Sequence, residues 1–336
     1  MINTKPANKS SGPESAHKRP WIRRCIIILV IVVFAASIGG SLFLFNVGLL
    51  RSETPNAQKA IDASSEFSAA MAENRAAGEK WLEDTSTEQW VLTAEDGIEL
   101  RGYYIASADR GSGRTAVLIH GYRANAATMG NYARLYHDRG FNVFMADNRA
   151  HGKSGGKYIG MGWLDRKDYL GWLAMLIEKT GEDTEIVLHG ISMGAAAVMM
   201  MGGEKLPPQV KCIVDDCGYS TVFDEFKYQI KKMFGLPAFP FLYLADIEAK
   251  LLAGYSFTEA SALEAVKKTR VPIFFIHGAN DDFNPTYMVY ELYEAAQGAK
   301  ELWVVPGATH GMAYAVNPEE YINRVSGFYE KYIGIE

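Results

Sequence analysis

Cysteine is scarce, with three in 336 residues, and so few exclude a disulfide framework. Cys212 and Cys217 are close in sequence, but an extended segment between them would hold their Cα atoms roughly 16 Å apart, beyond disulfide reach. They read as buried apolar fillers on or near a strand. Cys25 opens an apolar run without a lipobox-like pattern and is assigned no role. The chain also lacks a basic stripe beyond its N-terminal tail, and its net charge is -5. Nucleic acid is therefore not an expected partner. No H-E-x-x-H spacing and no G-x-x-x-x-G-K-[ST] loop occurs, and Asp281-Asp282 lacks the repeated carboxylates of a calcium loop. We infer no metal and no cofactor.

Hydrophobic residues make up 48% of the chain and charged residues 22%, which fits one domain of catalytic size with appendages. Residues 1–24 form a solvated basic tail carrying Lys5, Lys9, Lys18, Arg19, Arg23 and Arg24. From Cys25 to Leu50 no charge interrupts a mostly apolar run, long enough to cross a hydrocarbon core of about 30 Å. A cleaved signal peptide is the rival reading, because the small cluster Ala35-Ala36-Ser37 lies within the run. Leu42-Phe43-Leu44-Phe45 continues past that cluster, which favours an uncleaved anchor. The basic flank places the N-terminus in the cytoplasm and the rest of the chain outside. Residues 51–83, with Ile61, Phe67, Met71 and Trp81 at loosely helical spacing, read as a juxtamembrane helix or stalk, or equally as a first amphipathic helix packed on the domain.

Beyond residue 84 the pattern changes. Gln89–Thr93 and Ile98–Ile105 flank Asp96-Gly97 as an antiparallel hairpin. Short apolar runs then recur between helical stretches: Ala116–Ile119, Val143–Ala146, Ile186–Leu188, Cys212–Val214, Ile273–Ile276 and Leu302–Val305. Such runs suit strands buried on both faces of a mainly parallel central sheet, an α/β architecture with helices on both faces.

Around one of these strands the chain reads Val187-Leu188-His189-Gly190-Ile191-Ser192-Met193-Gly194-Ala195. This is a strand, a G-x-S-x-G turn and a run of small residues, the pattern of a nucleophile elbow. Ser192 is the candidate nucleophile, and Gly190 and Gly194 let strand and helix approach without Cβ clashes. Five of the seven histidines precede glycine, namely His120, His151, His189, His277 and His310, and four of these pairs cap or closely follow an apolar run. Because the crevice of a parallel sheet lies beyond its carboxyl strand ends, the polar chemistry gathers on one edge. His310, after the last strand, is the candidate general base. Asp281, three residues after the turn glycine Gly278, is the carboxylate chosen to orient it. Asp282 is assigned to an Asx turn capping a helix near Pro285, and Asp215 and Asp216 are the fallback acids. Oxyanion donors are expected at the backbone N–H of Met193 and of Tyr122, in the turn His120-Gly121-Tyr122-Arg123. Tyr122 and Arg123 are also assigned to the substrate mouth.

With these residues in place, the sequence resembles the α/β-hydrolase superfamily over residues 84–336. The Ser, Asp, His order matches that family, and Asp147-Asn148-Arg149-Ala150-His151-Gly152-Lys153-Ser154 resembles its Asp-x-Arg-x-x-Gly-x-Ser loop. The likeness is strongest to bacterial membrane-anchored serine hydrolases of the prolyl-oligopeptidase-like and lysophospholipase-like group, without the propeller domain of true prolyl oligopeptidases. It departs where Asn284 stands in place of the family's frequent valine before the proline. A helical cap insertion is expected at about residues 220–268. Phe223, Phe226, Tyr228, Ile230, Met233, Phe234, Leu236, Phe239, Phe241, Leu242 and Tyr243 crowd its first part, and packing of the cap on the core accounts for most of them.

The expected protein is a single-pass membrane serine hydrolase whose partners are the membrane and a small-molecule ester or acyl substrate. Peptidase or acyltransferase activity is the alternative within enzymes, and a catalytically idle binding module is the alternative outside them.

Overall fold

The computed structural model describes residues 20–51, 67–109 and 112–334. The basic tail before residue 20 and most of 51–66 lie outside the described residues.

An eight-stranded sheet runs through the domain in the order β1-β2-β4-β3-β5-β6-β7-β8. β1 (Glu88–Thr93) and β2 (Glu99–Ile105) form the expected hairpin, with Thr93 opposite Glu99. β2 joins the rest antiparallel through β4 (Asn142–Asp147). β3 (Arg114–Ile119), β4, β5 (Glu185–Ile191), β6 (Val210–Asp216), β7 (Ile273–Gly278) and β8 (Lys300–Val305) are mutually parallel. All six apolar runs became these strands.

Alternation along each strand feeds two cores. In β3, Val117 and Ile119 face one core while Ala116 and Leu118 face the other. The first core takes the end of α1 (Pro20–Leu49), α4 (Asp165–Thr180), α5 (Met193–Gly202) and α9 (Tyr287–Ala295). It also takes the cap, made of α6 (Val222–Phe234), α7 (Phe241–Leu252) and α8 (Ala262–Val266) between β6 and β7. The second core takes α2 (Phe67–Glu83), α3 (Gly130–His137), the short α10 (Ala313–Val316) and α11 (Pro318–Tyr329).

Of the two readings for residues 51–83, the described part, α2, follows the packed amphipathic helix, and α1 is longer than its contact with the domain. Helix α2 is no free stalk, because Trp81 and Leu82 pack into the second core and the Trp81 ring meets His137 at 5.4 Å. Helix α1 is long and apolar enough to span a membrane over Trp21–Leu49, but only its first part stands clear. Ile26 to Phe34 are exposed, whereas Ser41, Phe45 and Leu49 are buried against the domain. The end of this helix and the domain therefore share a surface.

Candidate active site

Strand β5 ends in Ile191, and Ser192 turns the chain into α5 with φ 56° and ψ -114°. A left-handed serine is strained, and the surroundings hold it there. Its N–H donates to the Asp216 carbonyl at 2.8 Å. A Cβ on Gly190 would stand 2.1 Å from the Gly194 carbonyl oxygen, and one on Gly194 would stand 2.0 Å from that of Ile119. No side chain fits at either place, so the turn requires both glycines.

Three side chains from separate loops meet there. His310 Nε2 lies 2.9 Å from Ser192 Oγ, and His310 Nδ1 lies 2.8 Å from Asp281 Oδ2. Asp281 Oδ1 accepts the N–H groups of Phe283 and Asn284, each at 2.9 Å. The Asx turn therefore belongs to Asp281 and not, as expected, to Asp282. Asp282 is exposed and pairs with Lys232 at 2.8 Å, and the following helix begins at Tyr287. Burial alone would raise the Asp281 pKa, but the imidazoles of His310 and His277 hold the carboxyl far below the usual carboxylate range. Burial alone would lower the His310 pKa, yet the Asp281 carboxylate lifts it above the ordinary histidine value.

The fallback acids serve elsewhere. Asp215 Oδ1 accepts from Gly218 N–H at 3.1 Å, and Asp216 Oδ2 accepts from Tyr321 OH at 2.7 Å. Burial pushes them up to about 7 and about 6 respectively.

Four His-Gly histidines are scaffolding. His120 Nδ1–H donates to the Gly121 carbonyl while its Nε2 accepts from Asn148 N–H. His151 Nε2 accepts from Arg123 N–H. His189 lies between the hydroxyls of Tyr136 and Tyr321. Burial pushes these three down to about 4, 3 and 3, so each stays neutral. His277 instead backs the acid, with Nε2 2.8 Å from the Asn284 carbonyl and 3.3 Å from Asp281 Oδ2.

The loop after β3 lies against the serine, since a Cβ on Gly121 would stand 3.4 Å from Ser192 Cβ. Met193 opens α5, where first-turn N–H groups have no intrahelical acceptor. The Asp147–Ser154 loop holds this arrangement from behind. Asp147 accepts Ala126 N–H and Lys153 N–H, and Arg149 makes a buried two-pronged pair with Asp168 at 2.8 and 2.6 Å.

Two pockets share Ser192. One is lined by Gly121, Tyr132, His310 and Tyr314. The other is mostly apolar, with Phe226, Ile230, Phe234 and Leu242 of the cap beside Ser192 and Met193. Both take in Tyr122, and Arg123 lines the apolar one.

Several participants escaped sequence reasoning. Leu44, Phe45, Val47, Gly48 and Leu49 of α1 form a wall of the apolar pocket; the hydrophobic run signalled a span and nothing else. Glu225, in the same pocket, is buried with Oε2 meeting no hydrogen-bond partner among the described residues, and burial pushes it up to about 8. Cys217, with φ 55°, brings its sulfur within 4.8 Å of ligand atoms of Asp281 and His310. These three could in principle hold a metal, but burial drives the thiol well above its ordinary value, and the other two groups already bond each other. A thiolate ligand is disfavoured.

Residues 116–324 match the model of the alpha/beta hydrolase family. Bacillus subtilis YqkD is 30% identical over 247 residues, covering 74% of this chain and 80% of its own. The Pyrococcus furiosus esterase Pf2001 superposes with a TM-score of 0.60 at 28% identity, over 75% of this chain and 93% of that one. The Pyrococcus horikoshii acylaminoacyl peptidase shares the fold, with a TM-score of 0.56 at 16% identity over 75% of this chain and 42% of that one. With its mainly parallel sheet, its serine elbow and these relatives, the chain belongs to the alpha/beta hydrolase family.

Proposed function

We propose that the protein is a membrane-anchored serine hydrolase that cleaves a carboxylic ester through an acyl-enzyme. The observation that carries this reading is the unbroken hydrogen-bond line Ser192 Oγ to His310 Nε2, and His310 Nδ1 to Asp281 Oδ2. With the Nδ1 proton donated to Asp281, His310 Nε2 is free to take the Ser192 proton as Oγ attacks the ester carbonyl. The tetrahedral oxyanion lies between the N–H groups of Met193 and Tyr122. His310 then protonates the departing alcohol, and water repeats the sequence on the acyl-enzyme to release the acid.

The mostly apolar lining of the second pocket supports an acyl ester over a peptide. The similarity to a Pyrococcus furiosus esterase supports the same choice. Retention of α1 is favoured over its removal as a signal, because the apolar run continues past Ala35-Ala36-Ser37 through Leu42-Phe43-Leu44-Phe45, longer than a signal's apolar region. The basic N-terminal flank supports an outward-facing domain.

Labelling of the full-length protein by a fluorophosphonate tests the reading. Wild type should react, and Ser192→Ala and His310→Ala should not. A folded wild-type protein that stays unlabelled would favour the idle binding module.

A further inference from the structure

The two parts of α1 meet different surroundings. Ile26 to Phe34 are exposed on all sides, whereas from Ser37 onward the helix beds into the cap. The Phe241 ring of α7 lies where a Cβ on Gly40 would stand, and Ser41 OH donates to Glu248 of α7 at 2.7 Å. The Phe43 ring meets Phe234 of α6 edge to face at 6.1 Å. The last carbonyls of the helix, which have no intrahelical donor, are taken up by the loop beside Ser192. Arg123 donates to the Val47 carbonyl at 2.5 Å and Tyr122 OH to that of Gly48 at 2.7 Å, while Ile159 N–H reaches Leu49 at 2.8 Å.

Length then sets depth. A hydrocarbon core of about 30 Å takes about 20 helical residues. Counted from Cys25, the first residue after Arg24, that span reaches Leu44. The contacts with α7 already begin at Gly40 and Ser41, so α7 lies level with the end of the span. Its outer face matches that position. Tyr243, Ile247 and Leu251 recur every fourth residue and are 51%, 57% and 78% exposed, while Leu242, Ala245 and Ala249 on its other side are buried. Met233, Phe234 and Phe239 extend the exposed apolar surface beside it. A patch of this kind marks a surface that meets something apolar, and the span running alongside it identifies the occupant as lipid.

We propose that the cap is seated in the leaflet into which α1 emerges, and that the cavity between α1, α6 and α7 takes the acyl chain of a long-chain ester from that leaflet to Ser192. The seat rests on α1 being a retained span, and the acyl-chain half rests on Ser192 being the nucleophile. The α1 wall of Leu44, Val47 and Gly48 would then bind substrate as well as anchor the chain. The same helix end holds Tyr122 and Arg123, so the membrane segment also positions the oxyanion loop.

The test uses the full-length protein in nanodiscs. Cys25→Ser with Leu251→Cys carries one environment-sensitive fluorophore, because Cys212 and Cys217 are buried. Doxyl-labelled lipids should quench it by about half or more, while the same probe at Glu330→Cys, on α11's exposed end, should stay unquenched. Equal, weak quenching at both sites would overturn the seat whether or not Ser192 reacts. In parallel, Ile247→Glu with Leu251→Glu should cut turnover of a vesicle-borne palmitoyl ester about tenfold while a water-soluble butyryl ester is cleaved as before. Wild-type turnover of the palmitoyl ester by that variant would also overturn the seat. Val47→Trp, filling the α1 wall, should lower the palmitoyl-to-butyryl ratio about tenfold, and an unchanged ratio would overturn the acyl cavity. Absence of fluorophosphonate labelling in wild type would overturn the role of Ser192 and the acyl-chain half with it, leaving the quenching result to judge the seat.

Discussion

Helices α5 and α7 have similar lengths, 10 and 12 residues, and both are mostly apolar. Every residue of α5 is buried, whereas α7 buries one face and exposes Tyr243, Ile247 and Leu251 on the other. A helix apolar all round is stable in water only inside a core. For α5 that core is protein, and dense packing on every side holds the adjoining Ser192 in a strained turn. For α7 protein covers only one face. The same apolar character thus serves precision beside Ser192 and, at the cap, leaves the surface that the proposed membrane seat would cover.

Changes on the α5 side should be severe. Ser192→Ala should lower ester turnover by about a millionfold and leave the thermal unfolding midpoint unchanged, because the residue after Ile191 keeps its backbone bond to Asp216. Loss of activity together with loss of folding would mean that the serine is structural. Asp281→Asn should cost about ten-thousandfold in kcat. It should also move the acid limb of the kcat/KM profile. His310 must be neutral to accept a proton, and Asp281 lifts its pKa, so wild-type activity should rise with pH through a midpoint above the ordinary histidine value. Without the carboxylate that midpoint should fall, and a profile that stays put would separate Asp281 from His310. Gly190→Ala should destabilise the fold by about 3 kcal/mol or more, since its Cβ would stand 2.1 Å from a backbone oxygen. Chemical denaturation of the purified variant measures this.

The cap side should be more forgiving, and Glu225 is its sharpest probe. Burial pushes its folded pKa to about 8, above the ordinary glutamate value of 4.5, so the folded chain keeps a proton that the unfolded chain releases. Stability from this group is complete below the unfolded value and is lost as pH rises through about 8. Glu225→Gln keeps an acceptor for Gln229 and removes the penalty. Its melting temperature should match wild type at pH about 5 and exceed it by a few degrees at pH about 9. A constant difference across that range would show that Glu225 is not buried as a neutral acid.

The sheet and the hydrogen-bonded line Ser192–His310–Asp281 were legible because their causes are local. Short continuous apolar runs rich in β-branched and aromatic residues, such as Ile273–Ile276, suit strands buried on both faces. The spacing of Gly190, Ser192 and Gly194 answers to steric limits within five residues. His310 and Asp281 followed from their position after the last two strands. The role of Asp282 was misjudged because two adjacent aspartates in one turn have the same local propensities, and only the rotation of the loop toward His310 decides between them. The choice between a stalk and a packed helix for residues 51–83 stayed open for a related reason, since helical spacing in α2 says nothing about which surface receives Trp81.

By itself the sequence determined the strands, the elbow, the chain order of Ser192, Asp281 and His310 and the presence of one apolar helix long enough to span a bilayer. Each of these depends on periodicity or on contacts between near neighbours. Only the tertiary structure decided that α1 ends as a wall of the pocket, that Glu225 borders it, that Cys217 comes close to Asp281 and His310, and that four of the five His-Gly histidines are supports. Those outcomes depend on burial and on partners far along the chain. Tyr122 reaches Gly48 across 74 residues, and His310 reaches Ser192 across 118. No pattern in either short stretch encodes such a distance; the packed sheet and its helices bring the ends together.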